Sequence, residues 1–157
     1  MSGALVWLRD DLRLHDNPAL HTAVGTGGPV TVVYVLDDES EGLRPFGGAA
    51  RWWLHGSLTA LDADLRSRGS RLVLRRGAAA VEIDRLVRDT GADTVLWNRR
   101  YGAAERAIDT GIKQSLRDQG VEVHSSAAAL LWEPWTLRTG QDQPYNCLLY
   151  TSPSPRD

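Results

Sequence analysis

The side chains best able to do chemistry are few, and none of them forms a recognisable catalytic group. The four histidines, His15, His21, His55 and His124, lack the spacing to Cys or carboxylate residues that metal sites show. Cys147 is the single cysteine, so it forms no intramolecular disulfide, and no base motif marks it as a nucleophile. The phosphate-binding glycine motifs G-x-x-x-x-G-K-[ST] and G-x-G-x-x-G are both absent. The sequence therefore predicts no catalytic centre and no metal, and it disfavours an ATP-hydrolysing or ATP-sensing α/β protein.

Short apolar runs, rich in β-branched residues, are the elements that must position any site. They lie at residues 4–8, 30–36, 72–74, 94–97 and 121–123. Each run is short enough for one strand, and successive rather than alternate positions are apolar. Such runs are typical of parallel strands that are covered on both faces.

Helical patterns separate these runs. Leu54, Leu58, Leu61 and Leu65 form one apolar stripe, which predicts a helix packed on the sheet. Asn17, followed by a proline, predicts the cap of an earlier helix. Because strands and helices alternate, the sequence predicts an α/β fold of the doubly wound, Rossmann-like type: a five-stranded parallel sheet with helices on both faces.

Composition sets the class of protein. A chain of 157 residues, 42% apolar and 24% charged, is typical of one globular domain. No run approaches the roughly 20 apolar residues of a membrane-spanning helix, and the start of the chain lacks a signal-peptide pattern, so we expect a cytoplasmic monomer. With 18 basic and 20 acidic side chains spread along the chain, we expect poor DNA binding by this chain alone.

Four motifs carry a family resemblance. They are WLRDDLRLHDNPAL at 7–20, VVYVLD at 32–37, GAARWWLHGSL at 48–58 and LWNRRY at 96–101. In this order they resemble the N-terminal α/β antenna domain of the DNA photolyase/cryptochrome family. One departure is Asp10, which stands where the family commonly has an arginine.

The resemblance also divides the chain. Residues 1–130 match the α/β domain, and 131–145 match the family's connector pattern of Glu-Pro, Thr-x-x-Gly and Pro-Tyr. Residues 146–157, NCLLYTSPSPRD, match nothing expected and are interpreted as a non-native tail. The resemblance implies a chain truncated before the family's FAD-binding domain.

The resemblance implies a light-harvesting antenna pigment near the carboxyl ends of the strands, where open α/β sheets bind ligands. Motif matching gives the candidate residues Val35, Leu36, Asp37, Arg51, Asn98, Arg100, Tyr101 and Arg106. Asp37 can accept hydrogen bonds, Arg51 and Arg106 can donate them, and Tyr101 can stack on a ring. The alternative is structural: Asp37 caps a turn and Arg51 is a solvated first-turn residue. Arg9, Asp11 and Arg13 are interpreted as a salt-bridge set that braces the first loop.

The pigment expected from the resemblance is 8-hydroxy-5-deazaflavin or a flavin rather than methenyltetrahydrofolate. Folate-binding relatives commonly place an acidic residue after the tyrosine that is Tyr101 here, but this chain has Gly102. The parent activity implied is a deoxyribodipyrimidine photolyase, which uses light and FAD, with damaged DNA and FAD bound only by the missing domain. A cryptochrome photoreceptor is the alternative.

Overall fold

Five strands and four α-helices alternate along the chain in the computed structural model, which describes residues 3–143. The elements are β1 (Gly3–Leu8), α1 (Pro18–Gly25), β2 (Val30–Leu36), α2 (Gly48–Ser67), β3 (Leu72–Arg76), α3 (Ala79–Thr90), β4 (Ala92–Asn98), α4 (Ala103–Asp118) and β5 (Glu122–Ser126). A 3₁₀ turn spans Pro134–Thr136 in the predicted connector. The predicted tail at 146–157 lies outside the described residues.

The strands form one parallel sheet in the order β3-β2-β1-β4-β5, which confirms the predicted fold class. All five predicted strands are present. The last strand, β5, extends beyond the predicted run at 121–123 and ends at Ser126, which pairs with Asn98 at the end of β4. The chain winds outward from β1 to β3 and then returns to β4, so the order reverses between β1 and β4. In open α/β sheets such a reversal opens a crevice at the carboxyl ends of the strands.

Two apolar cores cover the two faces of the sheet. One contains Trp7, Ile83, Leu86, Trp97 and Ile112, and so joins the sheet to α3 and α4. The other contains Val6, Leu8, Ala19, Leu61 and Leu65, and so joins it to α1 and α2.

Only the second half of α2 packs on the sheet. Of its predicted stripe, Leu61 and Leu65 are buried, whereas Leu54 and Leu58 are only partly covered. The reason is length: a helix of 20 residues spans about 30 Å, whereas the neighbouring β3 has 5 residues and spans about 17 Å. The first half of α2 therefore extends past the sheet, on the side of the carboxyl strand ends.

The predicted start of α1 is confirmed in detail. The Asn17 side-chain oxygen accepts a hydrogen bond from the Leu20 amide at 3.1 Å, and Pro18 occupies the first helical turn. At the end of α3, Gly91 has a φ of 65°, a left-handed conformation that favours glycine.

A buried arginine joins β1, β4 and α4. The Arg9 side chain is 4% exposed and pairs with Asp109 of α4. It also donates to the carbonyl oxygen of Asn98, and its guanidinium lies 4.4 Å from the centroid of the Trp7 ring. Burial lowers the pKa of Arg9, although the carboxylate of Asp109 opposes that shift.

The first loop is braced by hydrogen bonds rather than by the predicted salt-bridge set. Asp11 accepts hydrogen bonds from the Arg9 amide and from the side-chain amide of Asn98. Arg13 donates to two backbone carbonyls, those of Asp16 and Ala128. The prediction of ion pairs among Arg9, Asp11 and Arg13 was therefore wrong. The acidic partner of Arg9 is Asp109, which lies 100 residues away in the sequence.

We predict that Asp109→Asn lowers the free energy of unfolding by about 3 kcal/mol, because it leaves a buried guanidinium without its counter-charge. Urea denaturation measures the change. Asp84→Asn is the matched control, since Asp84 pairs with Arg88 on the surface of α3. A loss below about 1 kcal/mol is expected there. Equal losses in the two variants would contradict the role given to Asp109.

Candidate ligand-binding crevice

A crevice of about 200 Å³ opens at the carboxyl ends of β1 and β2. Its walls include Trp7, Tyr34, Val35, Phe46, Arg100 and Glu105. Aromatic and apolar side chains beside a few polar groups are the usual composition of small-molecule sites. The volume suits a compact ring system rather than a whole cofactor, so the rest of such a ligand would lie outside the crevice.

Four charged side chains of the crevice have no protein partner within residues 3–143: Asp10 and Arg44, which are exposed, and Arg100 and Glu105, which are partly buried. Neither Arg100 nor Glu105 forms an ion pair or a side-chain hydrogen bond there, and the Nε atom of Arg100 is buried without an acceptor. A buried donor left without an acceptor is destabilising. Arg100 and Glu105 are therefore the groups best placed to bind a polar ligand edge.

Tyr34 adds a neutral hydroxyl to the wall. Burial, and then the charge of Asp10, raise the pKa of Tyr34 to about 12. Its hydroxyl therefore keeps its proton at physiological pH and can donate a hydrogen bond into the crevice.

The carboxylate of Glu105 lies directly beside Gly102. A Cβ atom added to Gly102 would overlap this carboxylate. The crevice therefore has an acidic group in the place where a side chain at position 102 would lie. The expected preference for a flavin-type pigment over a folate, which was drawn from Gly102, stays a prediction, since the Glu105 carboxylate lies beside that glycine.

Asp37 is in the crevice wall, but protein groups already use its carboxylate. One oxygen accepts from the amides of Glu39 at 3.1 Å and Ser40 at 2.8 Å. The other accepts from the Ser40 hydroxyl at 2.6 Å and from the Ala79 amide at 3.0 Å. Burial alone would raise the pKa of Asp37, but these hydrogen bonds outweigh it and hold the pKa below its ordinary value. The geometry supports the capping alternative, and a ligand contact by Asp37 stays a prediction.

Arg51 holds the loop that forms one wall of the crevice. Its Nη2 atom pairs with Asp38 at 2.9 Å, and its Nε atom donates to the Phe46 carbonyl oxygen at 2.9 Å. Arg51 itself does not line the crevice. We therefore assign it a positioning contact between α2 and the loop after β2, and its predicted ligand contact stays a prediction.

The remaining candidates are divided among several cavities, and Asn98 and Tyr101 line one of about 230 Å³ that Arg100 and Glu105 also line. Val35 is buried in the crevice wall, whereas Leu36 does not line it. The side chain of Asn98 is fully used, because its oxygen accepts from the Ala19 amide and its nitrogen donates to Asn17 and Asp11.

Tyr101 and Arg106 also lie outside the crevice. The Tyr101 hydroxyl donates to Glu133 at 3.2 Å, and its ring packs against Trp135 with centroids 6.1 Å apart. Arg106 lines a second cavity beside α4. Of the predicted residues, Arg100 alone lines both cavities.

Phe46 and Glu105 were missed by the sequence analysis. Phe46 is the one phenylalanine of the chain, and it is 42% exposed at the rim of the crevice. An aromatic residue just before two glycines and a helix was an available signal. Glu105 had no such signal, because its importance depends on where the first turn of α4 directs it.

Residues 3–143 contain neither a membrane-spanning helix nor a cluster of metal-ligand side chains. No helix there combines the length and apolarity that crossing a bilayer requires. In the same part of the chain, no group of three or more His, Cys, Asp or Glu side chains is arranged to hold a metal ion.

The strand order defines an α/β domain of the doubly wound class, with a crevice at the carboxyl ends of its strands. The sequence matches the DNA photolyase family over residues 4–149. The chain therefore belongs to the DNA photolyase family, and it matches the N-terminal α/β domain of its members.

Relatives in this family include both photolyases and cryptochromes. The chain is 50% identical over 141 residues to the deoxyribodipyrimidine photo-lyase of Agrobacterium fabrum, covering 90% of this chain and 29% of that protein. It is 39% identical over 144 residues to cryptochrome-1 of Arabidopsis thaliana, covering 91% of this chain and 21% of that protein. The chain thus spans less than a third of the length of the relatives that it matches.

Solved structures agree with the fold. A bacterial class III photolyase from Agrobacterium tumefaciens superposes with a TM-score of 0.85 at 47% identity, covering 93% of this chain and 30% of that one. An archaeal photolyase from Sulfolobus tokodaii superposes with a TM-score of 0.77 at 25% identity, covering 87% and 32%.

We predict that Asp37→Asn lowers the free energy of unfolding by about 1 kcal/mol at pH 7, because it weakens the cap of the turn and of α3. The folded-state pKa of Asp37 is lowered, so its stabilisation is present above the ordinary value of 3.8 and is lost as the pH falls through the folded-state value. The difference between wild type and variant should therefore shrink below about pH 4.

Urea denaturation at a series of pH values between about 2 and 7 measures the difference in free energy of unfolding between wild type and Asp37→Asn. The control is Asp64→Asn, since the exposed Asp64 side chain accepts no hydrogen bond within residues 3–143. A difference between wild type and Asp37→Asn that does not change with pH would contradict the capping role.

Proposed function

We propose that this chain is the light-harvesting domain of a deoxyribodipyrimidine photolyase and that it holds a planar antenna pigment in the crevice. The unpaired Arg100 and Glu105 beside aromatic walls are the observation that carries the proposal. When bound, such a pigment supplies light absorption for a flavin held elsewhere in the longer protein. A photolyase is favoured over a cryptochrome because identity to the Agrobacterium photolyase is 50%, against 39% to cryptochrome-1. Cytoplasmic location and a monomeric state are part of the proposal.

A flavin-type ring fits the polar groups of the crevice. The pyrimidine edge of a flavin or a deazaflavin carries two carbonyl oxygens on either side of one N–H group. Arg100 is a planar donor for a carbonyl, and the Glu105 carboxylate is an acceptor for the N–H. Phe46 offers a ring face at the rim for stacking.

A relative supports the same pigment class. The archaeal photolyase from Sulfolobus tokodaii contains two FAD molecules, which imply a novel light-harvesting cofactor in that protein. We therefore propose a flavin or 8-hydroxy-5-deazaflavin as the pigment here. The carboxylate of Glu105 also suits the amino edge of a folate pterin, so a direct comparison of the pigments is needed.

We predict that the chain binds riboflavin or 8-hydroxy-5-deazaflavin saturably, with one ligand per chain, and more tightly than methenyltetrahydrofolate. Arg100→Gln should weaken the binding about ten-fold, because it removes a charge-assisted hydrogen bond to a ring carbonyl. Pigment fluorescence during titration with protein measures the affinities.

The matched control is Arg88→Gln, which removes an exposed cation on α3 and should leave the affinity unchanged. Tighter binding of the folate would contradict the proposed pigment class while leaving the crevice in place. Absence of saturable binding for all three pigments would contradict the proposed function itself.

A further inference from the structure

A second cavity of about 280 Å³ lies between α4, the end of β5 and the 3₁₀ turn at 134–136. We call it the basic pocket, and its main lining residues are Arg99, Arg100, Arg106, Asp109, Lys113 and Trp135. The pocket is separate from the crevice proposed for the pigment, although Arg100 lines both.

The charge in the basic pocket is not balanced by protein groups. Its one carboxylate, Asp109, is paired with the buried Arg9, and Arg99 is paired with Glu133. Within residues 3–143, the other three cations, those of Arg100, Arg106 and Lys113, form no ion pair. Within residues 3–143, three positive charges therefore line the pocket without an ion-pair partner of their own.

The hydrogen-bond donors of the pocket are also incompletely used. Arg100, which the pocket shares with the crevice, donates no side-chain hydrogen bond to the described residues. Lys113 donates to the Ser125 hydroxyl at 2.9 Å, which leaves two of its three N–H groups available. Burial lowers the pKa of Lys113, and the nearby Arg117 and Arg99 lower it further. A bound anion would remove the repulsion that causes part of this shift.

We propose that the basic pocket binds a phosphate or diphosphate group of a small-molecule ligand. Guanidinium and ammonium groups that line one pocket can donate charge-assisted hydrogen bonds to phosphate oxygens. Trp135 is 48% exposed at the edge of the pocket, with Tyr101 and Arg99 packed against its ring, so an aromatic part of the same ligand can contact the exposed part of the indole.

A compact anion fits better than a nucleic-acid backbone. Backbone recognition depends on basic residues spread along a surface stripe, and this chain has a formal net charge of −2 with both signs mixed along it. The cations of the basic pocket instead surround a single small cavity. The proposal does not depend on a pigment in the crevice.

The test is calorimetric titration of the chain with inorganic pyrophosphate at constant ionic strength. We expect saturable binding of one pyrophosphate per chain. Arg106→Gln and Lys113→Gln should each weaken it about ten-fold, because each removes a charge-assisted hydrogen bond. Arg88→Gln removes an equal charge from α3, outside the lining of the basic pocket, and should change the affinity less than about two-fold, since exposed charges are screened. Circular dichroism of each variant confirms that the fold is kept.

Titrations with other ligands identify the kind of molecule that carries the phosphate group. AMP should bind more tightly than inorganic phosphate, and Trp135→Ala should remove this gain while leaving pyrophosphate binding intact. The proposal is overturned if pyrophosphate does not saturate, if Arg88→Gln weakens binding as much as Lys113→Gln, or if neither pocket variant weakens it. It is also overturned if a short single-stranded oligonucleotide displaces pyrophosphate at lower concentration than AMP does.

Discussion

Removing the Arg9 guanidinium from water costs several kcal/mol unless other groups replace that water. The carboxylate of Asp109, the carbonyl oxygen of Asn98 and the face of the Trp7 ring do so in this fold. These partners belong to α4, β4 and β1. Arg9 can therefore be buried only when the two central strands and α4 are in their native positions, so its burial fixes the place where the strand order reverses.

Around Arg9 the polar groups divide into two sets. One set is a cluster at the strand ends, in which hydrogen bonds join the side chains of Asp11, Asn17 and Asn98. The other set lies next to this cluster and consists of Arg100 and Glu105, which have no ion-pair partner within residues 3–143. A satisfied network stabilises a fold, whereas charged groups left without partners beside a cavity are available to a ligand. The hydrogen-bonded cluster thus fixes where Arg100 and Glu105 lie. Because these two side chains take no part in its hydrogen bonds, they remain available to a ligand.

The regular elements were predictable from the sequence because their signals are local. Apolar runs located the five strands, and Asn17 with Pro18 located the start of α1. The pairing of Arg9 with Asp109 was not predictable, since it joins residues 100 positions apart. Neither was the place of Glu105 against Gly102, which depends on a side-chain direction in the first turn of α4.

The candidate site was predictable only as a region. The carboxyl ends of β1, β2 and β4 do meet at one edge of the sheet, as a doubly wound fold requires. Residue roles were less predictable, because a type such as Asp or Asn serves equally well as a cap or as a ligand contact. The hydrogen bonds of Asp37 and Asn98 are now seen to be made with the protein, whereas Arg100 retains free donors.

A crystal structure of the chain grown with riboflavin would show directly whether Arg100 and Glu105 bind the ring edge of a pigment. The account predicts ring density in the crevice, with the pyrimidine edge against Arg100 and Glu105 and the Phe46 side chain beside the ring. Ring density at any other surface, with the crevice closed over its own side chains, would contradict it.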